Sequence, residues 1–124
     1  MDRYDKLITA FKAHMADNPL VECCGLITKT FEYIPCDNIS FDPKNSFIID
    51  PIKIYEYADN CWGFFHSHTI HHDELPSETD KNSAIFKEYK FIMGNHSNKF
   101  YIYWLGSLDT LKFAEFNEGH INAD

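Results

Sequence analysis

The sequence predicts a single α+β domain, a mostly antiparallel sheet with helices packed against it. Three observations predict it. An amphipathic helical stretch opens the chain, and short apolar runs follow, separated by Gly, Asn, Asp and Pro turns. No internal repeat, linker or low-complexity segment interrupts that series. With 124 residues, 44% of them hydrophobic and 16% aromatic, the chain has the length and composition for one packed core, and residues 1–124 read as one domain.

Each element has its own signal. Tyr4, Leu7, Ile8, Phe11 and Met15 recur at helical spacing within Asp2 to Ala16. Asp17-Asn18-Pro19 ends that helix, because proline cannot extend the hydrogen-bond ladder. Val21 to Ile27 and Phe31 to Ile34 read as strands around a turn at Thr28–Thr30. A polar loop, Pro35 to Asn45, and a short strand, Ser46 to Ile49, come next. Asp50-Pro51 opens a short helix to Ala58, with Asp as cap and proline in the first turn. Cys61 to Ser67 is a buried strand and His68 to Pro76 a polar loop. Ser77-Glu78-Thr79-Asp80 has the form of a helix N-terminal box, for a helix reaching Glu88. Lys90 to Met93, Phe100 to Trp104 and Leu111 to Phe116 are further strands, divided by Gly94-Asn95 and Gly106-Ser107 turns.

Charge narrows the function classes. A formal net charge of -8 and the lack of any Lys/Arg-rich run argue against a nucleic-acid backbone or an anionic membrane as partner. MDRYDKLITAFKAHM is charged and interrupted, so no signal peptide is expected, and no stretch approaches the ~20 apolar residues of a membrane span. The four cysteines, Cys23, Cys24, Cys36 and Cys61, have no C-x-x-C spacing. Adjacent Cys23 and Cys24 point to opposite faces of a strand, so reduced buried thiols in a cytoplasmic protein are expected.

The chemistry concentrates in Gly63 to Asp80, GFFHSHTIHHDELPSETD. His66 and His68 are two apart on a strand and project from one face, where both imidazoles can reach one ion; Ser67 projects the other way. Asp80, in the first turn of the next helix, can return a carboxylate to the same point. Two imidazoles and one carboxylate leave one of zinc's four tetrahedral positions for a water, as in catalytic sites. Each residue also has a plainer reading. An H-x-H pair is often a core or surface pair, and Asp80 can be an ordinary capping acid. His71 and His72, beside Asp73-Glu74, read as solvated spectators. Glu22 alone reads as a surface residue at a strand start.

The order of these residues resembles the JAMM/MPN+ metallopeptidases, whose pattern is a distant Glu, then His-Ser/Thr-His, seven residues, Ser, two residues, Asp. Glu22 matches the distant glutamate, His66-Ser67-His68 the H-S-H, and Ser77 to Asp80 the S-x-x-D. More narrowly, the chain resembles the peptidase half of phage tail-assembly proteins of the lambda protein K kind. There, ECCGL follows the first helix and F-x-I-D-P precedes G-x-x-HSH. Here these are Glu22 to Leu26, Phe47 to Pro51 and Gly63 to His68. The likeness runs from about Tyr4 to Glu88, and the C-terminal third carries no motif. In two places the chain departs from the pattern. Eight residues, Thr69 to Pro76, separate His68 from Ser77, and Thr69 stands where the family usually has Pro. One extra loop residue has a small entropic cost, so the ligand set is expected to survive.

The resemblance implies an MPN/JAB-like domain with a mostly antiparallel, curved sheet flanked by helices. It implies zinc held by His66, His68 and Asp80, Glu22 as general base, and Ser77 as hydrogen-bond donor to the oxyanion. The reaction implied is hydrolysis of a peptide or isopeptide bond, with a phage tail protein as substrate, in the cytoplasm of the host cell. A cellular peptidase that processes the C-terminus of a ubiquitin-like or sulfur-carrier protein is a second reading. A non-catalytic scaffold is a third, although such modules typically lose the ligands that are present here. A second, cell-wall-cleaving cysteine peptidase domain, frequent in such tail proteins, is not expected within this chain.

Overall fold

Helix α1, Arg3–Asp17, turns Leu7, Phe11 and Met15 inward, each at most 3% exposed, while Tyr4 and Ile8 pack at the margin of the same cluster. The computed structural model describes residues 3–72, 75–77, 80 and 89–116 (of Arg3 and His72, the backbone alone). Beyond α1 lie strands β1 (Cys24–Ile27) and β2 (Tyr33–Cys36), helix α2 (Pro51–Glu56), and strands β3 (Gly63–Ser67), β4 (Lys90–Gly94), β5 (Phe100–Leu105) and β6 (Leu111–Glu115). They make an α+β fold with one open six-stranded sheet in the order β2-β1-β3-β4-β5-β6. All pairings are antiparallel except β3 with β4, where Phe64 faces Phe91 and His66 faces Met93.

The sheet divides the interior in two. On one face Phe65, Ile92, Phe100, Ile102 and Trp104 meet α1, with Phe11 stacked on Phe65 at 4.0 Å between ring centroids. The opposite face carries Cys24, Leu26 and Cys61, then Phe91, Met93 and Tyr103, and the histidines belong to this second face. Strand alternation sends Cys23 into the first core and Cys24 into the second, and no disulfide forms between the four buried thiols. Burial pushes the Cys24 thiol up to about 12, which keeps it protonated.

Several boundaries differ from the sequence reading: β1 starts at Cys24 rather than Val21 and β3 at Gly63 rather than Cys61. Phe31 has φ of 63°, a left-handed conformation that ends the turn, so β2 starts at Tyr33. Pro35 lies inside β2, tolerated because β2 is the edge strand and needs no outward N–H. Ser46 to Ile49 is no strand: among the described residues its only ladder contact is the bridge between Asn38 and Ile49. The Asn38 side chain takes the place of a partner strand, accepting from Ile48 N–H at 3.1 Å and donating to the Ser46 carbonyl at 2.9 Å. Helix α2 ends at Glu56, short of Ala58, where a 3-10 turn, Ala58–Asn60, begins. The helix expected from Ser77 to Glu88 lies, except for Ser77 and Asp80, outside the described residues, as do Asp73 and Glu74. Among the described residues no helix is long and apolar enough to cross a membrane.

Candidate metal centre

Strand β3 places Phe64 and His66 on the second face and Phe65 and Ser67 on the first. His68 follows just past the strand end, held by its N–H donating to the Gly94 carbonyl at 3.2 Å. Both imidazoles are buried, His66 at 2% and His68 at 6% exposure. Phe47 stacks on the His66 ring at 4.6 Å with 16° between planes, which fixes the ring's tilt.

Asp80 closes the cluster from the far side of the loop. Its Oδ2 accepts from His68 Nε2 at 2.9 Å, and its Oδ1 stands 3.7 Å from His66 Nε2. The capping box seen in the sequence holds it there: Asp80 N–H donates to Ser77 Oγ at 3.0 Å, and Ser77 N–H donates to Asp80 Oδ2 at 2.9 Å. Cap and cluster are thus one arrangement, and Asp80 serves both readings. Burial alone would raise its carboxyl pKa. The hydrogen bond from His68, the charge of His66 and the Ser77 N–H outweigh that and hold it at about 2, so it is ionised at neutral pH.

Glu22 is not a surface residue. It is 8% exposed, with Oε1 3.7 Å from His66 Nδ1. Its backbone is clamped on both sides, the N–H donating to the Pro43 carbonyl at 2.7 Å and the carbonyl accepting from Asn38 Nδ2 at 2.8 Å. Ser67 completes the clamp from below. Its Oγ accepts from Cys23 N–H at 2.9 Å and its own N–H donates to the Cys23 carbonyl at 2.9 Å, which locks the Glu22 segment to the end of β3. Ser77 stands exposed at the rim.

His66, His68 and Asp80 each offer a ligand atom within 4.8 Å of the others, so the three could hold one metal ion. Two imidazoles and one carboxylate are a donor set that suits such an ion. His66 turns Nε2 toward Asp80 and Tyr103, while Nδ1, on the other side of the ring, is buried 3.7 Å from Glu22 Oε1. His71 is exposed in the 3-10 turn Ile70–His72 and lies near Leu20, Lys44 and Thr69, outside the ligand cluster. The side chain of His72 lies outside the described residues. Two groups at the site had no sequence signal. Tyr103, 1% exposed on β5, shares a 3.0 Å hydrogen bond with His66 Nε2, and Asn38 positions Glu22. Tyr103 comes from an aromatic run, FYIYWL, whose members look alike until strand order places one of them at the site.

No protein-family model matches the chain. Among curated proteins, the tail tip assembly protein K of Escherichia phage N15 is similar, 36% identical over 83 residues that make up 61% of this chain and 33% of that protein. The chain therefore spans about a third of the length of the curated relative it matches.

Proposed function

We propose that this chain is a zinc metallopeptidase of the JAMM/MPN+ type, cleaving a peptide or isopeptide bond in a phage tail protein during tail assembly. The observation that carries the proposal is the clustering of His66, His68 and Asp80 with Glu22 buried beside them, in the order of the family motif. The likeness to a tail tip assembly protein favours the tail setting over a cellular ubiquitin-like substrate. Two imidazoles and one carboxylate make a donor set that suits zinc and leaves one position open.

When bound, zinc supplies a Lewis acid that polarises a carbonyl and lowers the pKa of a water. The chain's residues do the rest. Phe47 stacking holds the tilt of the His66 ring, and the reciprocal Ser77–Asp80 hydrogen bonds hold the Asp80 carboxylate beside both imidazoles. Glu22 takes the proton of the attacking water and delivers it to the leaving amine; its buried, clamped backbone keeps the carboxylate in place through both transfers. Ser77 donates its O–H to the developing oxyanion, while its oxygen continues to accept from Asp80 N–H.

The test is co-expression with candidate tail proteins, followed by mass spectrometry of new termini and metal quantification. About one zinc per chain and one new terminus in a tail protein are expected. Absence of zinc from protein purified without chelator would overturn the proposal.

A further inference from the structure

An apolar groove of about 510 Å³ opens on the second face of the sheet, within the ~300–1,000 Å³ typical of ligand sites. Its floor is the stacked pair Phe64 and Phe91, register partners on the parallel strands β3 and β4, with ring centroids 5.6 Å apart. Phe47 forms one wall, Tyr89 packs edge-on against Phe64 at 5.3 Å, and Ile48 and Ile54 stand at the rim. Among the described residues no charged side chain lines it.

Two features tie the groove to the metal centre. Phe47 is common to both, since the ring that walls the groove is the ring stacked on His66. Phe64 also precedes His66 by one pleat on the same face of β3, so the floor runs directly into the ligand cluster. The rim is unusually apolar for a solvent-facing position, with Ile48 49% and Ile54 38% exposed.

We propose that this groove is the specificity subsite for a large apolar side chain of the polypeptide substrate. One pleat is ~7 Å, so an extended chain with its scissile amide at the metal would place the side chain about two residues away in the groove. The proposal rests on the peptidase reading and adds the substrate class: a segment with Leu, Ile, Met or Phe close to the cleaved bond. Polar segments leave Ile48 and Ile54 in water and gain nothing there.

The experiment is fluorescence anisotropy with fluorescein-labelled Gly/Ser decapeptides, one series carrying a central Leu-Phe pair and the other a Ser-Asn pair. Binding is measured to the zinc-loaded Glu22→Gln protein, so that cleavage does not intervene. The Leu-Phe peptide is expected to bind at least ~10-fold more tightly, the ~1.4 kcal/mol of a modest apolar contact. Ile48→Asp and Ile54→Asp, both at exposed positions, should abolish the preference with zinc content unchanged. Equal binding of the two peptides, or a preference that survives both substitutions, overturns the subsite. The same titration on chelated wild-type protein separates the two proposals. Zinc that never binds sinks the peptidase reading while the groove is still judged by the peptide pair. A tail protein cleaved without any Leu-Phe preference removes the subsite alone.

Discussion

Glu22 is buried and fixed by backbone clamps on either side, with Oε1 3.7 Å from His66 Nδ1, and the proposed mechanism makes it the general base. Glu22→Gln preserves the shape and removes the basic oxygen. Turnover should fall by ~10²–10⁴, while zinc content and the unfolding midpoint stay near wild type. Wild-type cleavage by Glu22→Gln would end the mechanism given above, even with zinc in place. The ligands predict a different pattern. Asp80→Ala removes both a proposed ligand and the partner of two imidazoles, so its zinc content should be far below that of His71→Ala, which lies outside the cluster. Equal loss in the two variants would mean the extended loop supplies a ligand of its own. At this scale the sequence shows the ligand types and little of their support. Asp80 and the histidines are legible because spacing on a strand and at a helix start has direct geometric meaning. Asn38 and Tyr103 are not, because each acts on a residue that only the tertiary fold brings near.

Local backbone rules decide which elements could be foreseen. The capping box at Ser77 and Asp80 was legible from four residues, and it does what such boxes do. Ser77→Ala should cost ~1 kcal/mol of stability through the lost cap. It should also lower turnover by ~10²–10³ if the hydroxyl meets the oxyanion. A lower melting temperature with unchanged turnover would leave Ser77 as a cap alone. Glycine at the start of β3 sets a second constraint. A Cβ on Gly63 would collide with the backbone carbonyl of Lys90 on the neighbouring strand, so only glycine lets the parallel pair close at that end. Gly63→Ala should destabilise by ~1–3 kcal/mol, read as a lower urea midpoint at unchanged m-value. A neutral result would show that the two strands part there readily. The segment Ser46 to Ile49 misled for a physical reason. A short apolar run reads as a strand whenever its backbone has a ladder to join, and here one asparagine side chain satisfies that backbone instead. The freed segment presents Phe47 to His66.

At the scale of the whole molecule, the opposite faces expected of Cys23 and Cys24 become two cores, one on each side of the sheet. The parallel pairing of β3 with β4 was not foreseeable from strand signals, since a parallel partner differs from an antiparallel one only in the route of the connection. That pairing matters for the site. The end of β3, paired with β1 on one side and β4 on the other, lies beside both the Glu22 segment and Asp80, and the three candidate ligands come from two separate pieces of chain. A metal ion held by the three residues would cross-link the end of β3 to the segment that carries Asp80, and the unfolded chain does not keep the three side chains together. Binding to the native state alone stabilises by mass action, about 2.7 kcal/mol when free zinc is 100 times its dissociation constant. For a chain of this length that shifts the melting temperature by about 10 °C. Chelation should therefore lower the Tm of the wild-type protein, and added zinc should restore it. Asp80→Ala should melt at one temperature with or without chelator, because the same residue that completes the ligand set is missing in both. A wild-type Tm indifferent to chelator would mean that no ion bridges the histidines and Asp80.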